Sequence, residues 1–109
     1  MTDNAGRPAP RRSVIPLLDA LGELCFKGKD LAAYLWQVPD DQAVRQQLTA
    51  LLVTMREEIA KSGRREMRVI VEDIETALKA SPSPQQIEIL QDGFDRITKL
   101  WQSAKSGLM

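Results

Sequence analysis

Histidine is absent from all 109 residues, and that gap excludes more chemistry than any single residue present suggests. It removes the commonest general base, the commonest neutral metal ligand and the phosphate acceptor of a histidine phosphorelay. Cysteine occurs once, at Cys25, so there is no disulfide framework, and a zinc site would have to rely on carboxylates. A lone thiol inside an apolar pattern fits a reducing compartment. No apolar run approaches the roughly 20 residues of a membrane span, and MTDNAGRPAPRRS lacks the apolar core of a signal peptide. A cytoplasmic chain with no membrane partner is expected. Neither sign of charge dominates: 15 basic and 15 acidic side chains cancel. A protein devoted to gripping phosphate backbones would carry a basic excess, so nucleic acid is disfavoured. Glycine-rich phosphate loops, nucleophile elbows and metal-ligand spacings are also missing. The chain therefore reads as non-enzymatic, with no cofactor and no metal.

Helical periodicity, by contrast, is present almost throughout. Hydrophobic residues make up 43% and charged residues 28%, the proportions of a folded protein, and the length allows one modest core. Residues 1–12 hold Gly6, Pro8 and Pro10 among polar and basic side chains and read as a flexible tail. Residues 13–109 read as a single helical bundle domain. Ser13 is placed to cap a first helix in which Val14, Leu17, Leu18, Leu21, Leu24 and Cys25 recur at helical spacing. Gly28 suits a helix stop, Asp30 can cap a short helix from Leu31 to Val38, and Pro39 ends it. On that short helix Tyr34 and Trp36 diverge by roughly 200°, so one ring is expected in the core and the other outside it.

Asp40 and Asp41 can cap a helix carrying Val44, Leu48, Leu51, Leu52, Met55 and Ile59, and a further apolar face runs through Met67, Ile70, Val71, Ile74, Ala77 and Leu78. The two faces stay nearly in phase across Ser62 and Gly63, so residues 41–79 could form one helix of about 58 Å. A break is preferred, because an interior glycine costs about 1 kcal/mol and a long rod would leave apolar surface uncovered. The last helix has the clearest start: Ser83 at the N-cap, Pro84 in the first helical position, and Gln86 placed for a capping box. Ile87, Leu90, Phe94, Ile97, Trp101, Ala104 and Leu108 then alternate by threes and fours, the seam of a coiled coil. The expected fold is all-α, a four- or five-helix antiparallel bundle with a disordered N-terminal tail.

Three features invite a functional reading. Leu90, Phe94, Ile97 and Trp101 fill a core stripe in the plainer reading, but Trp101 lies near the chain end, where a large aromatic is hard to cover, and tryptophan is enriched at interface hot spots. A stripe that serves as both core and partner-binding surface is expected, with self-association into a homo-oligomer, most simply a homodimer. Arg64, Arg65 and Arg68 belong to a basic stretch from Arg56 to Arg68 interspersed with Glu57, Glu58 and Glu66. They read as a solvated turn, or as possible electrostatic contacts for an acidic protein partner. Glu72, Asp73 and Glu75 lie close together on one helix, and Glu72 and Glu75 share a face that would suit a divalent ion or an acid/base pair, but they read first as a solvated face, with Arg68 and Lys79 spaced to pair with Glu72 and Glu75.

The expected function is a protein–protein interaction module, an adaptor or small regulatory subunit whose protein partner is unknown. One alternative is a nucleic-acid-associated regulator using Arg56–Arg68 with Arg7, Arg11 and Arg12. The helix count also resembles that of helical phosphotransfer modules, whose defining histidine has no counterpart here. That likeness carries no motif and implies at most a relative that docks a signalling partner without the chemistry.

Overall fold

The computed structural model describes residues 9–62 and 64–108, with side chains from 19 to 61 and from 64 to 107. Every described element is helical: α1 (Ala9–Tyr34), α2 (Gln42–Ser62), α3 (Arg65–Leu78) and α4 (Pro84–Leu108). Each helix packs on its two neighbours in a closed ring, α1 on α2, α2 on α3, α3 on α4 and α4 on α1, within an elongated body of 55 × 22 × 19 Å. Of the tail expected over residues 1–12, the first eight residues lie outside the described ones, and residues 9–12 form the start of α1. Ser13 is therefore not the cap. Pro16 stands inside the helix, where it offers no N–H to the carbonyl of Arg12.

The largest departure from expectation is at Gly28. The helix does not stop there but continues to Tyr34, and the separate Leu31–Val38 helix does not exist. Gly28 instead lets two helices approach. A Cβ on it would overlap the ring of Phe94 in α4, and a Cβ on Gly22 would overlap the indole of Trp101. Gly93, read from the sequence as a small residue for close approach, serves α4 in the same way against Ile74 of α3. The short helix fails for a second reason. Leu35 takes the inward position and is fully buried, which leaves both Tyr34 and Trp36 exposed, contrary to the expectation that one ring would enter the core. Trp36 Nε1 donates to Gln91 Oε1 of α4.

Elsewhere the helix signals hold. Asp41 caps α2, its Oδ1 accepting from Val44 N at 3.2 Å. The chain breaks between α2 and α3 rather than forming one rod, although Gly63 itself lies outside the described residues. Ser83 Oγ accepts from Gln86 N at 3.1 Å, with Pro84 opening α4. The second half of the expected capping box does not form. Gln86 points its Nε2 back at the end of α3, donating to the carbonyls of Ala77 at 2.9 Å and Ala80 at 2.6 Å.

Arg45 of α2 meets it there. Its Nη1 donates to Gln86 Oε1 at 3.0 Å and Pro39 O at 3.1 Å, and its Nη2 donates to Leu78 O and Ala80 O, both at 3.2 Å. The guanidinium is buried with no carboxylate among its partners. Its charge is met instead by carbonyls at a helix C-terminus, where the peptide dipoles present their negative end. One buried cation thus ties α2, α3 and the start of α4 together.

The core is continuous. It is built from Leu21, Cys25, Ala32 and Leu35 of α1 and its end, the predicted faces of α2 and α3, and Ile87, Leu90, Phe94, Ile97, Trp101 and Ala104 of α4. Val14, Leu17, Leu18 and Leu108 lie outside the residues whose side chains are described.

The two kinds of glycine in this fold should respond oppositely to substitution. Alanine normally gains about 1 kcal/mol over glycine in a helix interior. At Gly28 the added methyl meets a fully buried ring, and overpacking costs about 1–3 kcal/mol. Gly28→Ala is expected to lower the urea midpoint despite its better helix propensity, whereas Gly107→Ala, with nothing within 4 Å, should leave it unchanged or raise it slightly. A stabilised Gly28→Ala protein would contradict the close approach.

Candidate functional site

The expected partner-binding stripe is inside the protein. Leu90, Phe94 and Ile97 are fully buried, and Trp101 is 8% exposed. Gly22 and Gly28 of α1 receive the two large rings. Phe26 adds an edge-on contact to Trp101, with centroids 5.6 Å apart and planes at 83°, and Lys105 Nζ lies 5.2 Å from the Trp101 ring. The difficulty of covering a tryptophan near the chain end is thus met by the chain itself. A second copy could use these four residues only by opening the core.

The basic turn lies on the surface. Arg64 precedes α3 with an extended backbone (φ −85°, ψ 100°), and its side chain makes no capping bond. Arg64, Arg65 and Arg68 are all exposed. Arg68 lies 3.9 Å from Glu72, its expected partner one turn on. Glu75, expected to meet Lys79, pairs instead with Arg56 of α2. Such exposed pairs contribute little to stability.

Beside Arg64 and Arg65 is a feature that the stripe reading missed. Along α3, Arg65, Glu66, Val69 and Ile70 turn one flank towards α4, where Arg96, Lys99, Leu100 and Ser103 line the opposite wall of an open groove of about 550 Å³. A second hollow of about 590 Å³ continues it past Arg64, Met67, Ala104 and Gly107, sharing Arg65, Glu66, Leu100 and Ser103. The spacing 65, 69 on α3 and 96, 100, 103 on α4 is that of single helix faces. The floor is apolar: Ile70, Met67 and Ala104 are buried, Leu100 is half-buried and Val69 is 44% exposed. Arg64, Arg65 and Lys99 make no ion pair among the described residues, while Arg96 lies 3.7 Å from Asp92, one turn earlier. A sequence signal was available, since Val69 and Leu100 are apolar residues one position off their helices' core stripes.

Comparison with family models, curated proteins and solved structures finds no match. The groove must therefore be read on its own chemistry. Among the described residues no cluster of three or more cysteine and carboxylate side chains could hold a metal ion. No described helix is long and apolar enough to cross a membrane.

Cys25 is the one soft nucleophile, and its surroundings hold it protonated. Burial pushes its thiol up to about 11, against smaller opposing effects of a hydrogen bond with Thr98 and the charge of Lys29. A thiolate is the reactive form, so this thiol is inert in the fold. The same shift links stability to pH. The buried thiol contributes fully below the ordinary cysteine value of 9.0, and the contribution is lost as pH rises through about 11. Denaturation midpoints should therefore fall between pH 9 and 11 more steeply in the parent than in Cys25→Ala, and thiol reagents should label Cys25 only on unfolding. Rapid labelling of the folded chain at neutral pH would contradict the burial.

Proposed function

We propose that the chain is a non-enzymatic protein–protein interaction module, an adaptor or small regulatory subunit of the cytoplasm, that receives its partner in the α3–α4 groove. The supporting observation is the groove's apolar floor, with Val69 exposed and Leu100 half-buried, flanked by Arg96 and by Arg65 and Lys99, which make no ion pair among the described residues. Interaction surfaces combine an apolar centre with a polar rim, and an uncovered apolar groove with charged walls suits docking better than catalysis. The elements run as an antiparallel bundle in this proposal. Its support is the pairing of Asp19 with Lys105 and Lys29 with Asp95 along α1 and α4, and of Leu78 with Gln86 at the link between α3 and α4. The groove then lies at the opposite end of α3 from the Arg45 network, so an occupant need not disturb the ties between helices.

A charge reversal confined to the rim tests this. Arg65→Glu with Lys99→Glu should leave the helical circular dichroism and melting curve close to those of the parent, since both side chains are exposed and neither has an ion-pair partner among the described residues. It should abolish recovery of the specific proteins that the parent retains. Trp101→Ala should behave differently, costing about 3–5 kcal/mol of folding stability and losing partners only as the fold is lost. Retention of the same partners by the double variant would sink the groove as the docking site. Recovery chiefly of nucleic acid, released steeply with salt, would favour the regulator reading instead.

A further inference from the structure

We propose that the groove's occupant is an acidic amphipathic helix of about three turns, presented by another protein; this rests on the reading of the groove as a docking surface. Floor and walls ask for different things. Val69 and Leu100 offer apolar surface between Arg64 and Arg65 on one side and Arg96 and Lys99 on the other. Glu66 is the lone acidic residue of the lining. The whole chain carries equal numbers of basic and acidic side chains, so four cations against one acid in the lining, with Asp92 beside Arg96 as the one further carboxylate paired there, is a local asymmetry rather than a property of the entire surface. Cations facing one another across a groove repel, and an anionic occupant relieves them while setting its orientation.

A ligand that is only anionic answers half of this. A phosphate or a nucleic-acid backbone would satisfy the walls and leave the floor wet, and the lining holds no aromatic ring on which a base could stack. A helix with leucine-like residues on one face answers the floor, and carboxylates flanking that face answer the walls. The length follows from α4: from Arg96 to Gly107 the wall extends about 17 Å, the rise of some three helical turns. The chain's own residues 1–8 are the wrong occupant on charge, since Asp3 is their one acid and Arg7 cancels it, while Arg11 and Arg12 belong to α1.

The test takes the full chain and two labelled peptides of about three helical turns that share one leucine face, flanked by glutamates in one and by glutamines in the other. Fluorescence anisotropy should show the glutamate peptide binding roughly ten-fold more tightly at low salt, a margin that a few exposed charge pairs can supply and that shrinks as salt rises. Arg65→Gln with Lys99→Gln should remove most of that margin. Val69→Asp, or Val69→Ser if the aspartate disturbs the fold, should weaken both peptides. Several results overturn the inference: equal affinity for the two peptides, binding of neither, a short DNA duplex that binds more tightly at physiological salt, or a second copy of the chain that occupies the groove in sedimentation experiments. The underlying docking reading fails separately. It falls if the Val69 substitution leaves peptide binding unchanged, whereas equal weakening of two equally bound peptides keeps the groove and removes only its acidic occupant.

Discussion

The close approach of α1 to α4 is the constraint on which the rest of the structure depends. Gly22 and Gly28 present bare backbone where Trp101 and Phe94 project from α4, so two of the largest side chains in the chain find cover within a four-helix body. Full burial of such side chains is among the largest single contributions available to a small core. The same contact explains why α1 continues through Gly28. A helix that stopped there would leave Phe94 facing a loop, and the tolerated cost of an interior glycine, about 1 kcal/mol, is small beside the burial it permits. It also decides what α4 can do outside the core. Its stripe packs internally, and Leu100, one position off it, stays half-buried at the surface.

Around that seam the other contacts divide the molecule into a tied end and an open one. Arg45 and Gln86 close off the C-terminus of α3 with hydrogen bonds from a buried cation and a buried amide. Gly93 draws α4 against Ile74 of the same helix. Towards the start of α3 no comparable hydrogen-bonded tie between the outer flanks is seen among the described residues, and Arg65, Arg96 and Lys99 line a groove with Val69 and Leu100. The hydrogen-bonded end and the open groove thus sit at opposite ends of one pair of helices.

Much of this was legible in the sequence wherever a local signal and the tertiary packing agreed. The faces of α2 and α3, the Asp41 cap and the Ser83–Pro84 start follow from spacing and end-group chemistry alone, and they are present as expected. Gly28 was misread because glycine has two uses, a helix stop and a close approach, and only the identity of the facing residue distinguishes them. Phe94 is 66 residues away, beyond any local pattern. Gln86 was assigned to its own helix for the same reason, although its amide reaches the end of the preceding one. Tyr34 and Trp36 went wrong together: Leu35 between them fills the inward position, and a helix end leaves its neighbours outside. At the candidate site, Arg64 and Arg65 were visible as a basic turn, but Lys99 and Arg96 lie on another helix and joined them only through the fold. Val69 and Leu100 carried a faint trace, an apolar residue just off each stripe.

A double-mutant cycle between Gly28 and Phe94 probes the seam most directly. Unfolding free energies would be measured for the parent, Gly28→Ala, Phe94→Leu and the combined variant. If the two residues occupy the same space, shortening Phe94 should relieve the added methyl. The penalty of Gly28→Ala would then shrink in the Phe94→Leu background, with a coupling of about 0.5–3 kcal/mol. Strictly additive effects would mean that α1 and α4 do not meet there, and with that the burial of the α4 stripe would lose its basis.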